Sequence, residues 1–129
     1  MTADKHTIVV VDDVPEVRNG ISVILEAEGF DVRQANNGLE ALEQVDETVD
    51  LVVTDILMPE IDGIELCQKL KDAYPELKLI LISGGGRQPA IDSNYDYLEV
   101  AKKLTGVETI LKKPFNPEEL LKIINSQLA

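Results

Sequence analysis

The chain has one cysteine, one histidine and no tryptophan, and its aromatic residues are limited to two Phe and three Tyr. A single thiol, Cys67, excludes an internal disulfide and any Cys-rich metal site. It falls in an apolar helical pattern with Ile64 and Leu70 and reads as a small core residue. His6 alone supports neither a catalytic triad nor a His-rich metal site. No run approaches the roughly 20 apolar residues that a membrane helix needs. Met1–Lys5 lacks the charged-then-apolar pattern of a signal peptide, so a cytoplasmic protein with no membrane partner is expected. Basic residues are scarce. Against 24 Asp and Glu stand 12 Lys and Arg, a formal net charge of −12, which repels phosphate backbones and argues against direct nucleic-acid binding.

What is present fits one domain over residues 1–129. A chain near this length buries roughly two-thirds of its surface and needs no staples. Thr7–Val11 is an apolar, β-branched run and predicts a strand buried on both faces. Val14 to Ala27 carries a helical stripe of Val14, Val17, Ile21, Ile24 and Leu25, with Pro15 suited to its first turn and Gly29 to its stop. Phe30–Ala35 alternates and predicts a strand near an edge. Asn37-Gly38 reads as a turn before a short helix marked by Leu39, Leu42 and Val45. Leu51–Thr54 and Lys78–Ser83 predict two further buried strands. Between them a helix is expected from about Asp62 to Ala73, with Ile64, Leu66, Cys67 and Leu70 inward. A helix over Tyr95–Leu104, a short strand over Glu108–Leu111 and a tight loop at Lys112-Lys113-Pro114 follow. Asn116 is the expected N-cap of a final helix, with Pro117 at its first position and Leu120, Leu121, Ile124 and Leu128 inside.

Five strands alternating with five helices predict an α/β fold: a parallel sheet with right-handed crossovers and helices on both faces. The pattern ends with the fifth helix, so no effector domain is expected. In such a sheet the carboxyl ends of all strands share one edge, where open α/β sheets bind ligands. Asp12-Asp13, Asp55, Ser83 and Lys113 all fall at or just past such ends. Taken singly, each has a plain structural reading: a helix cap, a loop hydroxyl, a solvated charge. If the first and third strands are neighbours, their backbones lie about 4.8 Å apart and three carboxylates converge. Like charges roughly 4 Å apart repel by about 4 kcal/mol at an intermediate dielectric, so the cluster calls for a cation. Oxygen-only ligands favour Mg²⁺, and Mn²⁺ also fits.

These residues carry a resemblance. Val11-Asp12-Asp13, the segment Asp55-Ile56-Leu57-Met58-Pro59-Glu60-Ile61-Asp62-Gly63-Ile64-Glu65-Leu66, Ser83-Gly84 and Lys113-Pro114-Phe115 stand in the order found in the receiver domain of two-component response regulators. The stand-alone chemotaxis kind is the most similar. The resemblance implies a three-layer, flavodoxin-like (βα)5 fold with strand order 2-1-3-4-5. It implies that Asp55 accepts a phosphoryl group from a sensor histidine kinase or histidine phosphotransfer protein. It further implies that Asp13, Asp55 and the backbone carbonyl of Leu57 bind Mg²⁺ directly, with Asp12 acting through a water. Ser83 would hydrogen-bond one phosphoryl oxygen and Lys113 would pair with another. Output to a downstream protein target would run through the face made by the helix over 95–104, the fifth strand and the final helix. Such a chain is a phosphoacceptor with its own phosphorylation and dephosphorylation chemistry rather than a turnover enzyme.

Two departures from the family pattern stand out. The segment between Ser83 and Lys113 is roughly eight residues longer than usual, the excess falling in Gly84–Asn94, and long loops are often functional. Ile110 occupies the fifth-strand position that usually carries a switching aromatic, so that rotamer switch is not expected. Tyr95 and Tyr97 are the candidates to replace it. Three other functions compete. A flavodoxin needs a hydroxyl-rich phosphate loop after the first strand and rings around its flavin, whereas here the loop is acidic and rings are few. An aspartyl-phosphate hydrolase needs a second Asp two residues after the nucleophile, where this chain has Leu57. A receiver-like interaction module that works without phosphorylation is the alternative reading, and the full set of acidic, hydroxyl and lysine residues argues against it.

Overall fold

The computed structural model describes residues 5–56, 61–83, 103, 105–107, 109–112 and 115–129. Five parallel strands form one sheet in the order β2-β1-β3-β4-β5. They are β1 (Thr7–Val11), β2 (Asp31–Ala35), β3 (Leu51–Asp55), β4 (Lys78–Ser83) and β5 (Ile110–Lys112). Four helices are described: α1 (Pro15–Ala27), α2 (Gly38–Gln44), α3 (Gly63–Ala73) and α4 (Pro117–Leu128). This is the flavodoxin-like order that the resemblance implies. The helix expected over 95–104 lies outside the described residues apart from Lys103, as do Gly84–Asn94, Tyr95 and Tyr97. No described helix is long and apolar enough to cross a membrane.

Side-chain alternation along the strands builds two cores. Ile8, Val10, Leu51, Val53, Ile80 and Ile82 face one layer, where Ile21 and Leu25 of α1 and Leu120 and Ile124 of α4 meet them. Val9, Val11, Val52, Leu79 and Leu81 face the other, against Ala41 of α2 and Leu66, Cys67 and Leu70 of α3. Every residue of β1 and β3 is buried. Strands covered on both faces must be apolar throughout, and each branched side chain so buried stabilises the fold by roughly 1.5–3 kcal/mol. β2 is the edge strand, and only Ala35 in it is buried. Cys67 is in the core as expected, and burial pushes its thiol up to about 12.

The helix starts follow their capping chemistry. The Asn116 side chain accepts from Glu119 N at 2.8 Å, and the Glu119 carboxylate accepts from Asn116 N at 3.3 Å, a closed capping box. Asn37 and Gly38 are not a turn between elements. Asn37 is the N-cap of α2, accepting from Glu40 N at 2.8 Å, and Gly38 is its first residue. β5, expected over Glu108–Leu111, runs over Ile110–Lys112, starting two residues later and ending one later. Its pairing partners in β4, Leu81 to Ser83, set that register.

Gly63 is required by space. A Cβ there would stand 2.2 Å from the Asp55 carbonyl oxygen and 2.8 Å from Ile56 Cα. The Gly63 amide donates to the Ile56 carbonyl at 2.7 Å, so α3 starts directly against the end of β3. Forcing extra carbon into a packed site costs about 1–3 kcal/mol. Gly63→Ala is expected to lose at least that much in urea unfolding, because the obstructing atoms are backbone and cannot rotate away.

At the other end of α2, Asp46 accepts from the Thr48 hydroxyl and, at 2.8 Å, from the Thr48 amide, and pairs with Arg33 at 3.1 Å. These partners, the Thr48 bonds foremost, hold its carboxyl down at about 2, below the usual carboxylate range. A lowered folded-state value means that the contribution is present above pH about 4 and is lost as pH falls toward 2. Asp46→Asn is expected to flatten stability against pH across that window, as followed by thermal melts.

Candidate functional site

β1 and β3 are adjacent and paired in register, Val11 opposite Thr54. The next residues, Asp12 and Asp55, therefore leave neighbouring strands at the same level of the carboxyl-end edge. Asp12 is 1% exposed and Asp55 8% exposed. Asp13 is half-buried beside them. Asp55 lies opposite Ile82 on β4, and Ser83 opposite Lys112 on β5. Ser83 thus stands one residue further along the same edge, half-buried. Four residues expected at the site, Asp12, Asp13, Asp55 and Ser83, come to one sheet edge. Leu57 and Lys113 lie outside the described residues.

The loops holding these groups are built from local hydrogen bonds. Asp12 Oδ1 accepts from Val14 N at 2.9 Å, a local bond within the loop between β1 and α1, while Oδ2 is buried. The N-cap of α1 is Val14, with no side-chain cap bond, so Asp12 is not a helix cap but orders the loop before the helix, and it is buried rather than solvated. The Asp12 amide continues the ladder, donating to the Ala35 carbonyl at 3.2 Å. Behind Asp55, Thr54 is fully buried and its hydroxyl donates to the Asp55 carbonyl at 3.0 Å. Beyond it, Asp62 caps α3 by accepting from Glu65 N at 2.8 Å.

Two residues outside the expected set shape the edge. Gly63 is one, through its contact with the Asp55 carbonyl. Arg18 is the other. Its Nη1 donates to the Asp12 carbonyl at 2.8 Å and to Asn36 Oδ1 at 3.0 Å, and its Nε donates to Gln34 Oε1 at 3.0 Å. Arg18 belongs to no motif. Its only sign in the sequence is a cation near the amino end of a helix, against the helix dipole.

The carboxylates offer hard oxygen donors only. Among the described residues no three Asp, Glu, His or Cys side chains converge closely enough to hold a metal ion by themselves. The three carboxylates expected to converge share the edge but do not close on one point, so a dedicated protein cage is absent among the described residues. A small, hard cation that keeps several waters and takes one or two carboxylates, as Mg²⁺ does, fits such a donor set.

A cleft of about 530 Å³ opens elsewhere, at the amino-terminal edge of the sheet, where His6, Asp50, Tyr74 and Lys78 are among its lining residues. His6 Nδ1 lies 3.5 Å from Asp50 Oδ2, and the same oxygen accepts from Thr7 N at 2.8 Å. His6 there belongs to the packing of a strand entrance, far from the carboxylates.

The family described as "Response regulator receiver domain" matches residues 8–125. Chemotaxis protein CheY of Bacillus subtilis is 34% identical over 125 residues, covering 95% of this chain and 98% of that protein. The transcriptional regulatory protein CpxR homolog of Haemophilus influenzae is 35% identical over 121 residues, covering 94% of this chain. The chain spans about half (49%) of that regulator's length. Among solved structures, a CheY-like response regulator receiver domain protein from Methanospirillum hungatei superposes with a TM-score of 0.82 at 29% identity, over 97% of this chain and 94% of that one. Sheet order, the acidic edge and these matches agree: the chain belongs to the receiver domain family of two-component response regulators.

Proposed function

We propose that this chain is a phosphorylation-controlled receiver whose acceptor is Asp55, charged by a sensor histidine kinase or a histidine phosphotransfer protein in a Mg²⁺-dependent reaction. The observation that carries the reading is the β1–β3 register, which sets Asp55 beside Asp12 and Asp13 at the ligand-binding edge. Asp13, Asp55 and the Leu57 carbonyl would hold the metal directly, with Asp12 acting through a water. When bound, Mg²⁺ supplies positive charge to the phosphoryl oxygens.

Phosphoryl transfer passes through a loose transition state, so alignment and charge do most of the catalysis. One carboxylate oxygen of Asp55 forms a bond to phosphorus while the donor's imidazole nitrogen leaves with the electrons of the broken P–N bond. The near-complete burial of Asp55 limits the directions from which a donor can approach. The Ser83 hydroxyl donates to one phosphoryl oxygen, and the Lys113 ammonium pairs with another. The product is an acyl phosphate, and attack by water on phosphorus returns the carboxylate, so the signal erases itself without a turnover reaction.

The added charge pulls Ser83 and the chain after it toward the edge, biasing a two-state surface made by residues 95–104, β5 and α4. Ile110 sits in β5 and packs against the core, half-buried. An aliphatic side chain there has no ring to swing, so the switch works through backbone and loop displacement. The downstream target is a protein docking on that surface, in the cytoplasm.

Incubation with acetyl phosphate and Mg²⁺ followed by intact mass is expected to show one phosphate adduct on the wild type and none on Asp55→Asn, and chelation of Mg²⁺ is expected to abolish the adduct. An unmodified wild type under these conditions would point instead to an interaction module that works without phosphorylation.

A further inference from the structure

Arg18 is the residue at this edge whose placement the phosphoryl chemistry leaves unexplained. It lies four positions into α1, counting from Pro15. Helical side chains lean toward the amino end of their helix, so Arg18 reaches back to the loop from which α1 emerges. Three bonds from one guanidinium, at 2.8, 3.0 and 3.0 Å, tie that loop to the end of β2 and the loop after it. A planar fork with five fixed, spread donors holds a carbonyl and two side-chain oxygens at once with less loss of freedom than the compact, rotating ammonium of a lysine.

We propose that Arg18 is a positioning residue for the acidic pair, clamping the Asp12–Asp13 peptide to the loop after β2 so that Asp13 keeps the direction needed to take a divalent cation. The inference rests on the reading of Asp13 and Asp55 as the metal and phosphoryl site. Its bond is to the Asp12 carbonyl, half of the peptide unit whose amide belongs to Asp13. Fixing that plane fixes where the Asp13 side chain departs.

The anchor at the far end of the clamp is itself braced. The Asn36 amide donates to Glu40 Oε1 at 2.8 Å, Asn37 caps Glu40, and Gly38 lies so close to Ile61 that a Cβ would come within 2.9 Å of it. Ile61 belongs to the segment that follows Asp55. The loop after β2 carries no reacting group, yet it packs against one acidic loop and, through Arg18, holds the other. Partners of this outer kind orient metal ligands, and their loss typically lowers metal affinity by about 10–100-fold.

The test compares wild type, Arg18→Ala, Arg18→Lys and Asn36→Ala in two measurements. One is a Mg²⁺ titration followed by backbone amide chemical shifts. The other is hydrogen exchange at the Val14 amide, which bonds to Asp12. Arg18→Ala is expected to raise the Mg²⁺ dissociation constant by about tenfold and to speed Val14 exchange more than exchange in the β3 core. Arg18→Lys should recover only part of the affinity, because an ammonium cannot reproduce the fork. Asn36→Ala removes a single exposed arm and should give a smaller shift in the same direction, which keeps the test decisive if Arg18→Ala does not fold. Unchanged Mg²⁺ affinity and unchanged relative exchange in Arg18→Ala, or in Asn36→Ala if that variant alone folds, would overturn the clamp. Full recovery in Arg18→Lys would also overturn it, since charge alone would then suffice. Neither measurement needs phosphorylation, so a wild type that binds Mg²⁺ but takes no phosphate would reject the acceptor reading while leaving the clamp to be judged by its own data.

Discussion

The pairing of β1 with β3 is the constraint on which the rest of the molecule depends. It is held by ordinary backbone hydrogen bonds and by valine and isoleucine side chains buried on both faces. Its consequence is electrostatically unfavourable, because acidic residues of one sign leave adjoining strands at one level. A fold driven by apolar burial thus holds together charges that would separate in a flexible chain. That imposed proximity is the basis of the proposed cation and phosphoryl site. The stability of the two cores is what keeps the arrangement in place.

The surrounding loops turn proximity into geometry, and they do so with small means. A glycine lets α3 begin against the backbone of Asp55. An aspartate carboxylate ties down the loop between β1 and α1. An arginine joins two loops that no strand pairing would join. On the proposed reading, residues with no part in the chemistry decide how sharply the acidic groups are aimed, as is general for sites whose ligands sit on short loops above a rigid sheet.

Much of this was legible in the sequence, for physical reasons. Strands buried on both faces must be uniformly apolar, so β1, β3 and β4 announce themselves, and the helices between them carry stripes and caps that mark their limits. The placement of Asp12, Asp13, Asp55 and Ser83 at one edge followed from parallel topology alone. What escaped has a physical cause in each case. Asn37-Gly38 has the composition of a turn, and only the bond from Glu40 N to the Asn37 side chain shows it to be a helix start. β5 is short, and its limits come from its partner β4 rather than from its own pattern. Arg18 acts through contacts with residues 16 and 18 positions away, a separation that no local periodicity encodes. Gly63 stood inside the recognised motif, but the need for it there is a matter of interatomic space.

The outer strand β2 has a further consequence. A free sheet margin is a template on which another extended chain can add itself. Here Arg33 is secured to the Gln44 carbonyl at 2.8 Å and to Asp46 and Thr48 at 3.1 Å, bracing β2 against the end of α2. The exposed side chains of β2 are Asp31 and Gln34, polar groups that an incoming strand would have to desolvate. Growth of the sheet past β2 is therefore discouraged.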